Sequence, residues 1–295
     1  MTENKLIIHV GTPKTGSSFL QSSFREKGED LKKFGILYPG IKGLEYSDTS
    51  NVDINGQLLT RIFRLSSVEE YYLRKKEIHS LVVSLFSFGF NKVFISDETL
   101  GVLPTSAIDL IRSVCREADI NLVLFAYFRV PNSYYPSHWS QVVRKHGEIR
   151  GLIDFSSEMH LPVWQNLIDI ESQKEECHLF SYEKVVEEQA LLKSALGVMG
   201  VDSEKLFEGI DINKQVNTAL SLRALTAIRF INEEYGQELG TKVNDILTDN
   251  SVIKFSGKAS LPNEISDLVL DKHRVEYDTC MELFQKSKYL YMRKE

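Results

Sequence analysis

Lys5-Leu6-Ile7-Ile8-His9-Val10 runs into Gly11-Thr12-Pro13-Lys14-Thr15-Gly16-Ser17-Ser18, and that into Phe19-Leu20-Gln21-Ser22-Ser23-Phe24-Arg25-Glu26-Lys27-Gly28. The first piece is a short apolar run rich in branched side chains, the pattern of a buried strand. The second is punctuated by two glycines with four residues between them. The third places Phe19, Leu20 and Phe24 at helical spacing and closes at a glycine, which predicts a helix from about Gly16 to Gly28. Strand, glycine loop and helix in immediate succession open an α/β fold.

The same alternation continues outward. KVFISDE at 92–98 is a second apolar run stopped by acids, NLVLFAYFR at 121–129 a third, and HLFSYEKV at 178–185 a fourth that ends near Tyr182. Between them the patterns predict helices over 67–88, with Ser67 and Glu70 as a capping box, over 105–118 and over 134–147. Residues 29–66 read as loops and short helices. After residue 190 the chain is rich in Leu, Glu and Lys and reads as helical to its end. The expected fold is a P-loop-like, three-layer α/β domain with a mostly parallel sheet flanked by helices and a helical C-terminal part. Residues 1–190 would form the nucleotide-binding core and 191–295 a helical extension of the same single domain. Ligands in such sheets sit beyond the carboxyl ends of the strands. That singles out Gly11–Ser18, Ser96–Glu98 and Arg129–Ser137.

Composition excludes several classes. The 295 residues carry a formal net charge of -6, so coating a nucleic acid is not the expected role. Three scattered cysteines, Cys115, Cys177 and Cys280, give neither a zinc spacing nor a disulfide framework. No stretch approaches the roughly 18 uncharged apolar residues of a membrane span, and the opening run is too short for a signal peptide. The expectation is a cytoplasmic protein without a transmembrane segment or a metal.

The glycine loop is suited to an anion. Its glycines permit tight turns, and the helix that follows directs unsatisfied N–H groups and the positive end of its dipole at the loop. Lys14 adds a point charge, and Ser17 and Ser18 add hydroxyls. The nucleotide triphosphatase pattern is G-x-x-x-x-G-K followed by Ser or Thr; here Ser17 stands where that lysine would, and the lysine lies three residues earlier. The magnesium–ATP version is therefore disfavoured, and a plain βα turn is the bland alternative. At the third strand's end, Arg129 is followed by Pro131, suited to a helix start, and by Ser137 eight residues on. A guanidinium with a hydroxyl suits a phosphate monoester; a surface arginine and an unrelated helix serine would be the alternative.

Together these segments resemble the sulfotransferases that use 3′-phosphoadenosine 5′-phosphosulfate (PAPS), in particular bacterial members acting on carbohydrates or lipids. TPKTGSSFLQ is similar to that family's 5′-phosphosulfate loop. FRVPNSYYPSHW is similar to its 3′-phosphate motif, although Val130 stands where the family often has Asp or Asn. SYEKV resembles the strand end whose tyrosine lies near the adenine, and VNTALS before a long helix also resembles bacterial members. The resemblance implies that Pro13, Lys14, Thr15, Gly16, Ser17 and Ser18 hold the 5′-phosphosulfate, with Lys14 at the bridging oxygen. It implies Arg129 and Ser137 at the 3′-phosphate, Tyr182 at the adenine, and Ser256, Gly257 and Lys258 as the late loop that closes over the 3′-phosphate. It implies PAPS as donor, adenosine 3′,5′-bisphosphate (PAP) as product and a hydroxyl acceptor.

The acceptor hydroxyl must lose a proton, and the second strand ends in Asp97-Glu98. Glu98 is the expected general base, since Asp97 is the better helix cap; an acid at this place resembles relatives that sulfate carbohydrates, which points to a carbohydrate or glycolipid acceptor. His9, inside the first strand, reads as a packed core histidine. His138 could face the acceptor or the solvent. Arg144, Lys145 and His146 could attract an anionic acceptor or simply end a helix. Tyr71, Tyr72, Tyr134, Tyr135 and Trp139 could stack on a sugar or belong to the core. Two other readings stay open: a nucleotide kinase or triphosphatase with a variant loop, and a non-catalytic protein that keeps the nucleotide pocket.

Overall fold

A computed structural model describes residues 3–40, 55–64, 70, 73–173, 176–201, 206, 219–248 and 257–290. Two compact units emerge. The first comprises Met1–Phe128, Pro162–Asn213 and Asp278–Glu295; the second comprises Arg129–Leu161 and Lys214–Tyr277.

The first unit holds the sheet. Strands β1 (Lys5–His9), β2 (Ile36–Leu37), β3 (Lys92–Ser96), β4 (Asn121–Phe128) and β5 (Glu176–Ser181) lie in the order β2-β3-β1-β4-β5, and every pair is parallel. Leu6, Ile7, Ile8, Val93, Phe94, Ile95 and Val123 to Phe128 are all buried. Strands that are continuous apolar runs need both faces covered, which is why this sheet is parallel and flanked by helices. The α/β expectation holds. The chain leaves β1 toward the β2 edge and later crosses to β4 and β5 on the other side, so the order reverses at β1. The carboxyl end of β1 is therefore the switch point where such sheets carry their crevice.

Register fixes what meets there. His9 is paired with Ser96 across β1–β3 and with Phe125 across β1–β4. The ladder runs one step further: Val10 N–H donates to Phe125 O at 2.9 Å and Asp97 N–H to His9 O at 3.1 Å. Gly11 and Glu98 thus leave the sheet at the same level.

Some elements differ from expectation. Helix α1 (Ser17–Glu26) ends before Gly28, which opens the short α2 (Gly28–Lys32). After α3 (Gln57–Arg64), α4 covers Lys75–Phe86, with Ile78, Leu81, Val82 and Leu85 buried at helical period; of the 67–88 expectation, residues 67–69, 71 and 72, Ser67 of the capping box among them, lie outside the described residues. Helix α5 (Thr105–Glu117) is as expected. The fourth expected strand is β5; it stops at Ser181, and Tyr182 begins a helix, α9 (Tyr182–Glu187). Glu-Lys-Val-Val-Glu favours helix, with Val185 inward and Lys184 paired to Glu187 at 3.2 Å. Of the other helices, α8 (Val163–Glu171) and α10 (Leu191–Met199) belong to this unit.

The second unit is helical among its described residues. It is built from α6 (Pro131–His146), α7 (Leu152–Glu158), α11 (Leu222–Tyr235), α12 (Gln237–Thr248) and α13 (Asn263–Lys272). The last helix, α14 (Arg274–Ser287), begins in it. Pro131 at the first position starts α6 three residues earlier than the 134–147 expectation, since proline there removes only an orphan N–H. Asn232 Nδ2 donates to Val143 O at 2.8 Å, and Arg144 Nε donates to Asn244 Oδ1 at 2.6 Å, which ties α11 and α12 to α6.

Candidate active site

The loop Gly11–Gly16 leaves the switch strand and is pinned by its own hydroxyls. Thr12 Oγ1 donates to Tyr127 O at 2.8 Å, and Thr15 Oγ1 donates to Thr12 O at 2.6 Å; both threonines are fully buried. Tyr127 in turn donates to Leu191 O at 2.9 Å, at the start of α10. Lys14, half-buried, is held at φ 71 in the left-handed region, a conformation costing a non-glycine residue about 1 kcal/mol. Gly16, at φ 81, is the cap residue of α1, and no side chain caps the helix. A Cβ on Gly16 would stand 2.9 Å from Leu191 Cδ2 and 3.2 Å from Tyr182 Cε2. The loop thus has the form expected for an anion cradle: an uncapped helix start, a glycine in the left-handed region packed close to Leu191 and Tyr182, and a lysine held in a tight turn.

The acids expected at the end of β3 are sorted by their partners. Asp97 is buried; its Oδ1 accepts from Thr99 N and Thr99 Oγ1, both at 2.8 Å, and its Oδ2 accepts from Thr60 Oγ1 at 2.8 Å. It fixes the turn. Glu98 is half-buried, and its Oε2 accepts from Ser17 Oγ at the first position of α1. A Cβ on Gly11 would lie 3.1 Å from Glu98 Cα, so the acid is pressed against the glycine loop. Lys14, Gly16, Ser17, Glu98 and Tyr182 therefore belong to one neighbourhood of the first unit. Pro13 is half-buried in the same loop, and Ser18 is exposed beside it.

His9 is a core histidine, as expected. It is fully buried and stacked 4.9 Å from Phe125. Its Nδ1 pairs with Ser96 Oγ at 2.9 Å, and Gln21 Nε2 donates to the same hydroxyl at 3.3 Å. Burial pushes its pKa down to about 3, so the ring is neutral. Sequence reasoning missed this Gln21–Ser96–His9 chain, and also Asn55, whose side chain bonds Phe94 O and Ser96 N at 3.0 and 2.8 Å. The polar residues inside apolar runs, His9 and Ser96, were the available signal. It also missed Gly101: a Cβ there would meet Gly11 O at 2.3 Å.

Arg129, Ser137 and the late loop belong to the second unit. Arg129 directly follows β4, and its Nε donates to Ser133 Oγ at 2.8 Å. Ser137 is half-buried one helical turn after Ser133, on the same face. Ser133 was not foreseen; its place four residues after Arg129 was the signal. Gly257 N–H donates to Ala219 O at 2.9 Å, and Lys258 is exposed; the late loop thus lies against the end of VNTALS. Ser256 lies outside the described residues. Tyr134, Tyr135 and Trp139 are buried, so they are core and not a sugar platform; Tyr71 and Tyr72 lie outside the described residues. His138 stacks on Tyr134 at 5.7 Å, Arg144 is engaged with Asn244, and Lys145 and His146 are exposed at the end of α6. A separate hollow of about 390 Å³ at α5 is lined by Arg112, Arg116 and Gln173 among others. Its Arg112 already donates to Asp109 and Gln173.

No family model matches the chain. No curated protein matches it. A solved structure described as a sulfotransferase domain from the curacin biosynthetic pathway aligns over 93% of this chain and 98% of its own. The identity is 13% and the TM-score 0.43, a likeness too slight to decide function. Among the described residues, no helix is long and apolar enough to cross a membrane.

Proposed function

We propose that this chain is a sulfotransferase, moving a sulfuryl group from PAPS to an acceptor hydroxyl, with carbohydrate or glycolipid as the acceptor class. The observation that carries the reading is the pairing at the switch strand. An uncapped helix start with a lysine in its loop stands against the Glu98 carboxylate, which meets Ser17 at that helix start while Asp97 takes the turn-fixing bonds.

In this reading the acceptor oxygen attacks sulfur in line as the bond from sulfur to the bridging 5′-phosphate oxygen breaks. Charge gathers on the leaving phosphate, where Lys14 and the α1 amides stabilise it. Glu98 takes the acceptor proton. The products are the sulfate ester and PAP. Thr15 supports the loop through its hydroxyl and offers the phosphate its amide. Arg129 and Ser137, with Ser133 steadying the guanidinium, hold the 3′-phosphate; Gly257 and Lys258, with Ser256, close over it. Tyr182, whose ring lies against Gly16, faces the adenine. No metal takes part, the whole chain acts as one catalytic domain, and it works in the cytoplasm.

Calorimetry with PAP and AMP tests the reading. PAP should bind at least about tenfold more tightly, the worth of a charge-assisted phosphate contact. Equal affinities, or a magnesium requirement, would favour a kinase or triphosphatase.

A further inference from the structure

Resting on that reading, we propose that Glu98 is an internal stand-in for the donor's 5′-phosphate: it occupies the Ser17 hydroxyl until the donor arrives and is released as a base only then. Ser17 has one hydroxyl proton, and it is given to Glu98 Oε2. The same hydroxyl belongs to the first position of α1, beside the uncapped N–H groups that suit a phosphate. One proton cannot serve two anions. A phosphate docked at α1 takes it, and the carboxylate, facing a second negative group, turns away.

Only the side chain is free to turn. Asp97 is anchored by Thr60 and Thr99, and Glu98 Cα is pressed on Gly11. A second observation points to the same spot. His9 Nε2, fully buried and directly beneath Gly11, has no hydrogen-bond partner among the described residues. A buried ring nitrogen left unmet beneath the loop is a feature that native structures rarely carry without a reason. The consequence is an order of events: donor first, then a base free to meet the acceptor.

A double-mutant cycle on nucleotide binding tests this. AMP and PAP share the 5′-phosphate, so both are titrated into wild type, Glu98→Gln, Ser17→Ala and the double variant. Glu98→Gln should tighten both nucleotides about fivefold, because a weaker competitor holds Ser17. In the Ser17→Ala background the same change should give less than about twofold, and Ser17→Thr, which keeps the hydroxyl, should restore the difference. Equal tightening in both backgrounds would reduce the effect to through-space repulsion and overturn the proposal. So would no tightening at all, which would leave Ser17 bonded to Glu98 in both states. If PAP and AMP bind alike, the sulfotransferase reading fails while the Ser17–Glu98 coupling is still measured. If neither binds any variant, both fall.

Discussion

Two strand-to-helix turns carry the proposed donor contacts, and they are built in opposite ways. After β1 the turn is made of backbone: glycine at the cap, a lysine in the left-handed region, and hydroxyls turned inward to hold the loop on β4. After β4 the turn has no glycine. Pro131 sets the helix start, and a side chain, Arg129, steadied by Ser133, supplies the charge. A backbone cradle grips whatever anion fits its shape and can aim at charge that appears during reaction. A guanidinium grips an anion already present. The first turn therefore suits the group that changes in the reaction, and the second the group that does not.

The largest test of that contrast exchanges kinetic for binding effects. Lys14→Ala should lower turnover about 10²–10³-fold with a small change in PAP affinity. Arg129→Ala should weaken PAP about 10- to 100-fold, leave AMP unchanged, and alter saturated turnover little. Steady-state kinetics and calorimetry on the two variants read this directly. Equal, small effects from both would dissolve the distinction.

A smaller effect separates what lies beneath the first turn. His9 is buried and neutral, with its pKa lowered to about 3 from the ordinary 6.5. Between those values the unfolded chain binds a proton that the folded chain refuses. Stability is therefore full above about pH 6.5 and declines as the pH falls toward 3. By pH 5 the loss from this group should be about 2 kcal/mol. Denaturant titrations of wild type and His9→Gln at pH 7 and pH 5 check it: the variant's stability should change less between the two. A parallel decline in both would assign the acid sensitivity elsewhere.

How much of this was legible follows from the same contrast. The β1 turn could be read because each feature is local: the apolar run, the glycines, the lysine and the helical spacing sit within 24 residues of sequence, from Lys5 to Gly28. Parallel pairing followed from the alternation of apolar runs with helical segments. Division of labour between Asp97 and Glu98 was legible only in part. Asp was expected to cap, and it does bond Thr99, but its second partner, Thr60, lies 37 residues away, and Ser17 lies 81 from Glu98. Tyr182 was read as a strand end because its neighbours Phe180 and Ser181 continue the alternation; the helix preference of the next five residues won. Tyr134, Tyr135 and Trp139 stayed open between an acceptor platform and the core because burial cannot be told from exposure on an aromatic-rich helix without its partners. Ser133 and Ser137 lie one helical turn apart on the same face of α6, and spacing alone does not say which hydroxyl meets the Arg129 guanidinium.

The smallest effect decides whether stiffness itself divides the two turns. Thr15 and Ser133 are each the hydroxyl that ties its turn together, at 2.6 Å to Thr12 O and 2.8 Å to Arg129 Nε. Thr15 is fully buried and Ser133 is not. Thr15→Val keeps the shape but strands the Thr12 carbonyl away from water, which costs about 1–2 kcal/mol and should lower the melting temperature by roughly 2–6 °C in a chain of this size. Ser133→Ala leaves a half-buried guanidinium that water can still reach, so melting should move by less than about 1 °C. Its effect should surface instead as a twofold to fivefold loss of PAP affinity, about the worth of one hydrogen bond that positions a charge. If Ser133→Ala lowers the melting temperature as much as Thr15→Val, both turns are structural in the same sense. The backbone cradle would then have no special claim to the reacting end of the donor.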